Sequence, residues 1–277
     1  MAANRSRSPE PMPSCLAIYA HPDDIEFSAA GTMLQLARRG WDLHYFDLCA
    51  GNGGSVQMDG PTTAARRLLE AQAAARLLGA RFHPPVVDDM TLTYDIEVMR
   101  KVAAVIRQTR ADIVLTHALS DYMEDHMACA RLAASAAFTH GMPNFETIPP
   151  APTYAHAVTV YHAMPHGLRS PLRQKLRAGL YVDVGPVQDQ ARLALAAHAS
   201  QKDWLDKSQG MDSYLHTLDQ MAAAVGALSG RFAQAQGWCR HLHLGYSASE
   251  IDPLRAALGT DCVVDAQYEA ALEQAAP

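Results

Sequence analysis

The stretch CLAIYAHPDDIEFSAAGTMLQLARRGWDLHYFDLC, residues 15–49, decides the fold. CLAIYA (15–20) is a short apolar run that predicts a buried strand, and His-Pro-Asp-Asp after it predicts a loop. The next segment, 25–40, has apolar residues at helical spacing and ends on Gly40, where a helix C-cap is expected. WDLHYFDLC (41–49) predicts a second strand. The stretch is therefore a strand–helix–strand unit, which is typical of a parallel sheet.

The same alternation continues to about residue 150. Helices are predicted at 62–80, 95–109 and 123–141, and further strands at 81–87 and 112–117. We therefore expect an α/β fold with a Rossmann-like, mostly parallel sheet flanked by helices. In such sheets ligands bind at the carboxyl ends of the strands. HPDD, GNGGS and HALSDYMEDH follow the first, second and fourth predicted strands, so we expect these three loops to meet at one edge.

The pattern changes after Pro149-Pro150. Strands are predicted at 154–162 and 179–185, long helices across 186–230 and a short helix at 251–258. We expect residues 14–150 to form a Rossmann-like catalytic core. Residues 151–277 are predicted to complete the same domain as a smaller strand-and-helix extension that caps it or makes oligomer contacts. Residues 1–13, which are rich in Ser, Pro and Arg, are predicted to be a disordered tail.

The amino-acid composition limits which classes of partner and which cellular location we expect. Net charge is −6, from 23 basic and 29 acidic residues among 277, which argues against a nucleic-acid partner. No run of about 18 apolar residues predicts a membrane span, and the N-terminus lacks the apolar region of a signal peptide. Five scattered cysteines suggest buried thiols in a reducing compartment. The predicted location is the cytoplasm.

His21-Pro22-Asp23-Asp24 is the most informative motif. A catalytic zinc site uses three protein ligands and leaves one position open. His21 and Asp24 can supply two of the ligands, and Asp23 between them can act as a general base beside the open position. The alternative is that Asp23 or Asp24 only caps the helix that follows.

Asp125-His126 supplies what the first motif lacks. His126 begins a helix after the fourth predicted strand, on the same predicted edge, and can be the third metal ligand. Asp125 is assigned to catalysis as the carboxylate that holds a neighbouring polar group in orientation. The alternative is an acid-rich first helical turn, with Glu124 and Asp125 favouring the helix dipole and a histidine facing solvent.

The order of AHPDDIEFSAAGTML, the GGS loop, ARRLLEAQAAARLLGA and DYMEDHMACARL resembles the LmbE-like, or PIG-L-type, deacetylase family over roughly residues 15–140. The resemblance implies a zinc hydrolase that removes acetyl groups from N-acetylglucosamine-type amino sugars. By motif position, His21, Asp24 and His126 match the zinc ligands and Asp23 matches the base. The family also implies a homo-oligomer, commonly a trimer or hexamer.

Two substrate contacts follow from the same resemblance. Arg67 matches an arginine often found near the substrate, although an ordinary helix-surface pair with Glu70 is the alternative. Asp89 matches, on a looser alignment, an acidic residue that contacts sugar hydroxyls. The GNGGS segment is interpreted as a mobile substrate loop.

One position departs from the family. Many relatives carry a histidine three residues before the metal ligand, where it helps to stabilise the tetrahedral intermediate, and here that residue is Met123. Methionine cannot donate a hydrogen bond to an oxyanion. His166 is the favoured substitute, Tyr122 is another, and His243 requires the C-terminal segment to fold over the site, within the chain or from a neighbouring subunit. Each histidine has an ordinary core or surface role as its alternative.

The expected function is therefore zinc-dependent hydrolysis of an N-acyl amide, normally N-acetyl, on a small amino-sugar-type substrate. One Zn²⁺ per chain is expected, and the ligand types also suit other divalent transition metals. A same-fold amidase acting on a non-sugar amide, such as a thiol conjugate, is the first alternative. A non-catalytic Rossmann-like sugar- or nucleotide-binding protein is the second, and the absence of GxGxxG at the first turn disfavours it.

Overall fold

The computed structural model describes residues 12–202 and 214–274. The predicted tail at 1–13 lies almost entirely outside the described residues. The strands are β1 Ser14–Tyr19, β2 Asp42–Asp47, β3 Arg81–His83, β4 Ile113–Thr116, β5 Thr159–Ala163, β6 Leu180–Asp183, β7 Ala235–Arg240 and β8 Cys262–Val264. The helices are α1 Asp24–Ser28, α2 Ala30–Ala37, α3 Gly60–Leu78, α4 Ile96–Thr109, α5 Glu124–Phe138, α6 Gln188–Ala196, α7 Tyr214–Ser229, α8 Pro253–Leu258 and α9 Ala266–Leu272.

The eight strands form one sheet in the order β3-β2-β1-β4-β5-β7-β6-β8. The first five are parallel to one another, and β7, β6 and β8 pair antiparallel. Helices flank the sheet, so the predicted α/β fold with a Rossmann-like sheet and a C-terminal extension is confirmed. The described strands of residues 151–277 join the same sheet, while the proposed division at residue 150 stays a prediction.

The position of β1 inside the sheet explains why residues 15–19 form a continuous apolar run. Alternate side chains of a strand point to opposite faces of the sheet. Cys15, Ala17 and Tyr19 pack into a core on one face, which α2, α3 and α6 cover. Leu16 and Ile18 pack into a second core on the other face, under α4 and α5. Burial on both faces requires a continuous apolar run instead of an alternating pattern.

Strand β7 is missing from the sequence expectations. It lies between β5 and β6, near the middle of the sheet, and Trp238 within it is fully buried. Its sequence, AQGWCR, carries a glycine and polar residues and so gives a weak strand signal. Gly237 is required there because a Cβ would lie 2.7 Å from Met164 Sδ and 2.9 Å from Ala178 Cβ.

The parallel strands bring the predicted loops together. The loops after β1, β2, β4 and β5 all leave from carboxyl ends at the same edge of the sheet. Strand β7 runs the other way, so the chain that follows Arg240 returns to the opposite edge. Among the described helices, none combines the length and apolarity that crossing a bilayer requires.

Candidate metal centre and active site

His21, Asp24 and His126 meet at the carboxyl edge of the sheet. Their ligand atoms all lie within 4.8 Å of one another. Asp24 Oδ2 is 3.4 Å from His21 Nδ1 and 3.5 Å from His126 Nε2. The backbone N–H of His21 donates to the same oxygen at 2.8 Å, which fixes the Asp24 carboxylate in the loop. The structure therefore brings the three predicted ligands together, and their binding of a metal ion stays a prediction.

The second nitrogen of each histidine is held by a carboxylate. His21 Nε2 donates to Asp125 Oδ2 at 3.0 Å, and His126 Nδ1 donates to Asp121 Oδ1 at 3.1 Å. This pairing leaves His21 Nδ1 and His126 Nε2 free to face Asp24. Carboxylates behind ligand histidines are the usual arrangement around a metal ion, and two imidazoles with one carboxylate suit a divalent transition metal. The residues present therefore fit the expected cation.

Electrostatics agree with a site built for a cation. Burial alone would raise the pKa of Asp24, but the imidazoles of His126 and His117 hold that pKa well below its usual range. Burial alone would lower the pKa of His21, but hydrogen bonds to Asp125 and Asp24 raise it well above its usual range. The carboxylates thus concentrate negative charge around the histidines, which a bound cation would neutralise.

His117 and Asp121 were not predicted as site residues. His117 follows β4, stacks on His126 with ring centroids 4.0 Å apart, and places Nε2 3.3 Å from Asp24 Oδ2. His117, Asp121 and His126 form a second possible ligand group, and His21, Cys49 and Asp125 form a third. The backbone N–H of Ala20 already donates to His117 Nε2 at 3.0 Å. That bond occupies the lone pair of Nε2, the ring nitrogen that lies near Asp24.

Asp23 lies beside this cluster and is buried. Its backbone is in the left-handed region, with φ of 101°, so the loop turns sharply between the two ligands from the HPDD motif. The Tyr214 phenol donates a hydrogen bond to Asp23 Oδ2, and Arg67 Nη2 lies 3.6 Å from the same oxygen. Burial raises the pKa of Asp23 to about 6, although Arg67 and Tyr214 oppose the shift.

Arg67 is an interior residue, with 2% of its surface exposed. Its guanidinium donates to the Pro22 carbonyl. The alternative interpretation as a helix-surface pair applies to its neighbour, since Arg66 Nε bonds Glu70 Oε1 at 2.9 Å. The position of Arg67 beside Asp23 is consistent with a place near substrate, and direct contact with substrate stays a prediction.

The GNGGS loop is wrapped around Arg67. A Cβ on Gly51 would lie 2.6 Å from Arg67 Cδ, and one on Gly54 would lie 2.8 Å from Arg67 Nη1. Asp89 accepts hydrogen bonds from the backbone N–H groups of Gly51 and Gly53, at 2.7 and 2.8 Å. Asp89 therefore shapes this loop, in addition to lining the cavity described next; its predicted contact with sugar hydroxyls stays a prediction.

A cavity of about 610 Å³ opens onto the metal ligands. Tyr122, Met123 and His166 line it together with His21, Asp23, Asp24, Arg67, Asp89 and His126. The His166 ring lies 5.6 Å from the ring of Phe27 and 6.4 Å from that of Tyr122. The structure thus places both favoured donor candidates on the cavity wall, next to the methionine that stands where relatives carry histidine.

His243 requires a correction. It follows β7, whose antiparallel direction carries the chain to the far edge of the sheet, where the backbone N–H of His241 donates to Val160. His243 is not among the described residues that line the cavity. Within one chain it therefore lies away from the site. That His243 reaches the site of a neighbouring subunit stays a prediction.

The fold and this site define an α/β protein with a candidate single-metal centre at the carboxyl edge of its parallel strands. Residues 16–137 match the family model described as PIG-L, GlcNAc-PI de-N-acetylase. The segment is therefore a PIG-L domain, and the family predicted from the motifs is confirmed.

The chain is also similar to proteins whose names state an activity. The chain is 28% identical to 4-oxalmesaconate hydratase of Pseudomonas putida over 200 residues, which cover 69% of this chain and 75% of that protein. A crystal structure of the 4-carboxy-2-hydroxymuconate hydratase of the same organism matches with a TM-score of 0.67 and 24% identity, covering 87% of this chain and all of that one. N,N'-diacetylchitobiose deacetylase of Pyrococcus horikoshii matches with a TM-score of 0.69 and 22% identity, covering 87% and 88%. At these identities the two structures show the shared fold alone.

Proposed function

We propose that the chain is a metal-dependent N-acyl amide hydrolase with one cation, preferably Zn²⁺, held by His21, Asp24 and His126. The observation that carries the proposal is the buried carboxylate of Asp23, which lies beside this triad in a cavity large enough for a small molecule. A divalent cation supplies Lewis-acid activation of a water molecule and of the substrate oxygen. Iron, cobalt and manganese in the divalent state suit the same ligands.

Asp23 is the proposed general base. It accepts a proton from the attacking water and then delivers that proton to the departing amine. Tyr214 and Arg67 hold its carboxylate from the protein side. Asp125 and Asp121 keep the two histidines in the tautomers that turn Nδ1 of His21 and Nε2 of His126 toward the cation.

His166 is the proposed donor to the developing oxyanion. Met123 lacks an N–H or O–H group, so the donor that relatives place at this position must come from elsewhere. His166 and Tyr122 are on the same wall of the cavity, and an imidazole most closely replaces the group that is missing. Arg67, buried beside Asp23, is proposed to position substrate.

The proposed substrate is a small N-acetylated amino sugar. The family description names a GlcNAc compound and the similar archaeal protein is a deacetylase of diacetylchitobiose. A second candidate is hydration of an unsaturated acid, because the chain is similar to 4-oxalmesaconate hydratase of Pseudomonas putida. The same base and cation can activate water for this reaction, and hydration of a carbon–carbon double bond does not form the amide's tetrahedral oxyanion, so Met123 fits it without a substitute donor.

One experiment separates the two reactions. Purified protein supplemented with Zn²⁺ is incubated with N-acetylglucosamine, N,N'-diacetylchitobiose and N-acetylcysteine, and acetate release is measured. Parallel samples contain conjugated dienoic acids, and loss of their ultraviolet absorbance reports hydration. Acetate release from the sugars supports the proposed deacetylase. Acetate release only from N-acetylcysteine supports the thiol-conjugate amidase. Loss of absorbance without acetate release contradicts amide hydrolysis and supports the hydratase.

Two variants test the roles of the residues. Asp23→Asn should keep its metal content and lose nearly all turnover, whereas His126→Ala should lose both. Near-normal turnover in Asp23→Asn contradicts the base assignment. A protein that binds no divalent metal and gains nothing from added Zn²⁺ would instead be a non-catalytic binder.

We also propose a cytoplasmic location and a homo-oligomeric state for the chain. The five cysteines are free, and four of them are buried, which suits the predicted cytoplasmic location. The predicted homo-oligomer is checked by light scattering coupled to size-exclusion chromatography, where a trimer or hexamer is the expected result.

A further inference from the structure

Residues 166–177, His-Gly-Leu-Arg-Ser-Pro-Leu-Arg-Gln-Lys-Leu-Arg, follow β5 and form a short turn-back that we call the basic hairpin. The Ser170 N–H donates to the Gln174 carbonyl at 2.9 Å, and the Leu176 N–H donates to the Leu168 carbonyl at 3.2 Å. These bonds pair the two arms of the hairpin. One arm lies against the cavity of the metal centre, so the hairpin forms part of the cavity wall.

The basic hairpin carries an unbalanced charge. It contains three arginines and one lysine and no acidic residue, in a chain whose net charge is −6. Arg177 is neutralised by Asp265 at 2.6 Å. Within the described ranges, Arg169, Arg173 and Lys175 form no ion pair. A local excess of positive charge beside a cavity attracts anions.

Arg169 is the cation of this hairpin that lines the cavity. Its Nη1 donates to the Arg173 carbonyl at 2.9 Å, which braces the side chain against the hairpin and leaves further N–H groups for a ligand. Ser170 beside it also lines the cavity, and its Oγ accepts from the Gln174 N–H at 3.1 Å, so its own proton is available to donate. The other guanidinium at the cavity, that of Arg67, is committed to Pro22 and Asp23.

We propose that the substrate carries a carboxylate that Arg169 and Ser170 bind on the exposed side of the cavity, while the reacting bond lies at the metal centre. This inference rests on the proposed function and narrows its substrate class. A guanidinium matches the two oxygens of a carboxylate, and one guanidinium balances its single charge. Both candidate reactions admit such a substrate. An N-acyl compound can carry a carboxylate elsewhere in the molecule, and an unsaturated diacid has a carboxylate at each end of its double bond, one of which can face the basic hairpin.

Binding to matched ligand pairs tests the proposal. The pairs are N-acetylmuramic acid with its carboxamide, and mesaconate with its diamide, one pair for each candidate reaction. Affinities are measured by calorimetry with Zn²⁺-loaded protein carrying Asp23→Asn, so that turnover does not interfere. We expect the acid of at least one pair to bind about tenfold or more tightly than its amide, and Arg169→Gln to remove most of that advantage.

Three controls make the outcome specific. Arg173→Gln removes the same charge from the same hairpin but outside the cavity, and should keep the advantage of the acid. Arg169→Lys retains a charge without the planar fork and should keep part of it. Melting temperatures show whether the hairpin variants remain folded.

The inference is overturned if no acid binds more tightly than its amide. It is also overturned if the advantage survives Arg169→Gln, since the metal centre alone would then hold the carboxylate, or if Arg173→Gln abolishes it equally, since the effect would then be diffuse attraction. These readouts are affinities. Failure of the proposed function appears separately, as the absence of acetate release by the unsubstituted protein supplemented with Zn²⁺.

Discussion

Tyr214 and Asp23 are joined by a hydrogen bond across 191 positions of sequence, with the phenol donating to the carboxylate. Tyr214 is fully buried at the start of α7, and its ring packs edge-on against Phe27 with centroids 5.2 Å apart. The bond therefore comes from the first turn of a helix in the C-terminal part. It fixes the proposed base, which the N-terminal part supplies.

Replacing Tyr214 by Phe should reduce kcat about tenfold, because a hydrogen bond to a charged group contributes roughly 1.5–3 kcal/mol. KM and Zn²⁺ content should change little, since the phenol touches neither the ligands nor the proposed carboxylate site. Steady-state kinetics and metal analysis of Tyr214→Phe check this. An unchanged kcat, or a loss of metal, means that Tyr214 does not act through Asp23.

The fold, and the meeting of His21, Asp24 and His126 at one edge of the sheet, were predictable because their signals are local. Alternating strands and helices set the sheet, and the carboxyl ends of parallel strands then had to bring HPDD and Asp125-His126 to one edge. Tyr214 was not predictable, because nothing near it in sequence marks it as a site residue. Asp121 carried a signal that was missed, namely a carboxylate five residues before a predicted ligand histidine, in the loop that precedes α5.

In the C-terminal part, the sequence predicted the position of one candidate histidine and not that of the other. His166 follows a parallel strand, so its place at the cavity followed from the sequence. His243 follows β7, and strand direction decides which edge such a residue reaches. That direction depends on pairing between β5 and β7, whose paired residues are 75 to 79 positions apart in the sequence, and the weak strand pattern around Gly237 concealed it.

Asp125→Asn should weaken Zn²⁺ binding by about 10- to 100-fold, the usual effect of losing a carboxylate behind a ligand histidine. The reason is that Asp125 fixes the ring of His21 with Nδ1 toward Asp24. Competition against a chromophoric chelator measures the affinity. Glu124→Gln is the matched control, because Glu124 is the preceding residue of the same helix and is exposed. Equal affinities in the two variants would contradict the orienting role.

His166→Leu should lower kcat for amide hydrolysis about a hundredfold, the order of effect of losing one oxyanion donor, because leucine has no N–H or O–H group. Its Zn²⁺ content should stay normal. Adding Met123→His to that variant should recover part of the rate, because it returns an imidazole to the position where relatives carry one. Tyr122→Phe tests the other donor. If kcat falls in Tyr122→Phe and stays unchanged in His166→Leu, the donor is the phenol of Tyr122.

Gly51→Ala and Gly79→Ala form a matched pair that tests how closely the GNGGS loop packs on Arg67. Both glycines have positive φ, 75° and 70°, so alanine at either position costs roughly 1–2 kcal/mol of backbone strain. Among the described residues, no atom lies within 4 Å of a Cβ added at Gly79, whereas a Cβ added at Gly51 would lie 2.6 Å from Arg67 Cδ.

We therefore expect Gly51→Ala to lose more free energy of unfolding than Gly79→Ala in denaturant titrations. Gly51→Ala should also lose activity, because Arg67 must move away from Asp23 to make room, while Gly79→Ala should keep normal kinetics. Equal losses of stability together with normal activity in both variants would mean that the GNGGS loop moves to accommodate the added Cβ, and that Arg67 keeps its position. The arginine would then be held by α3 and Pro22 alone.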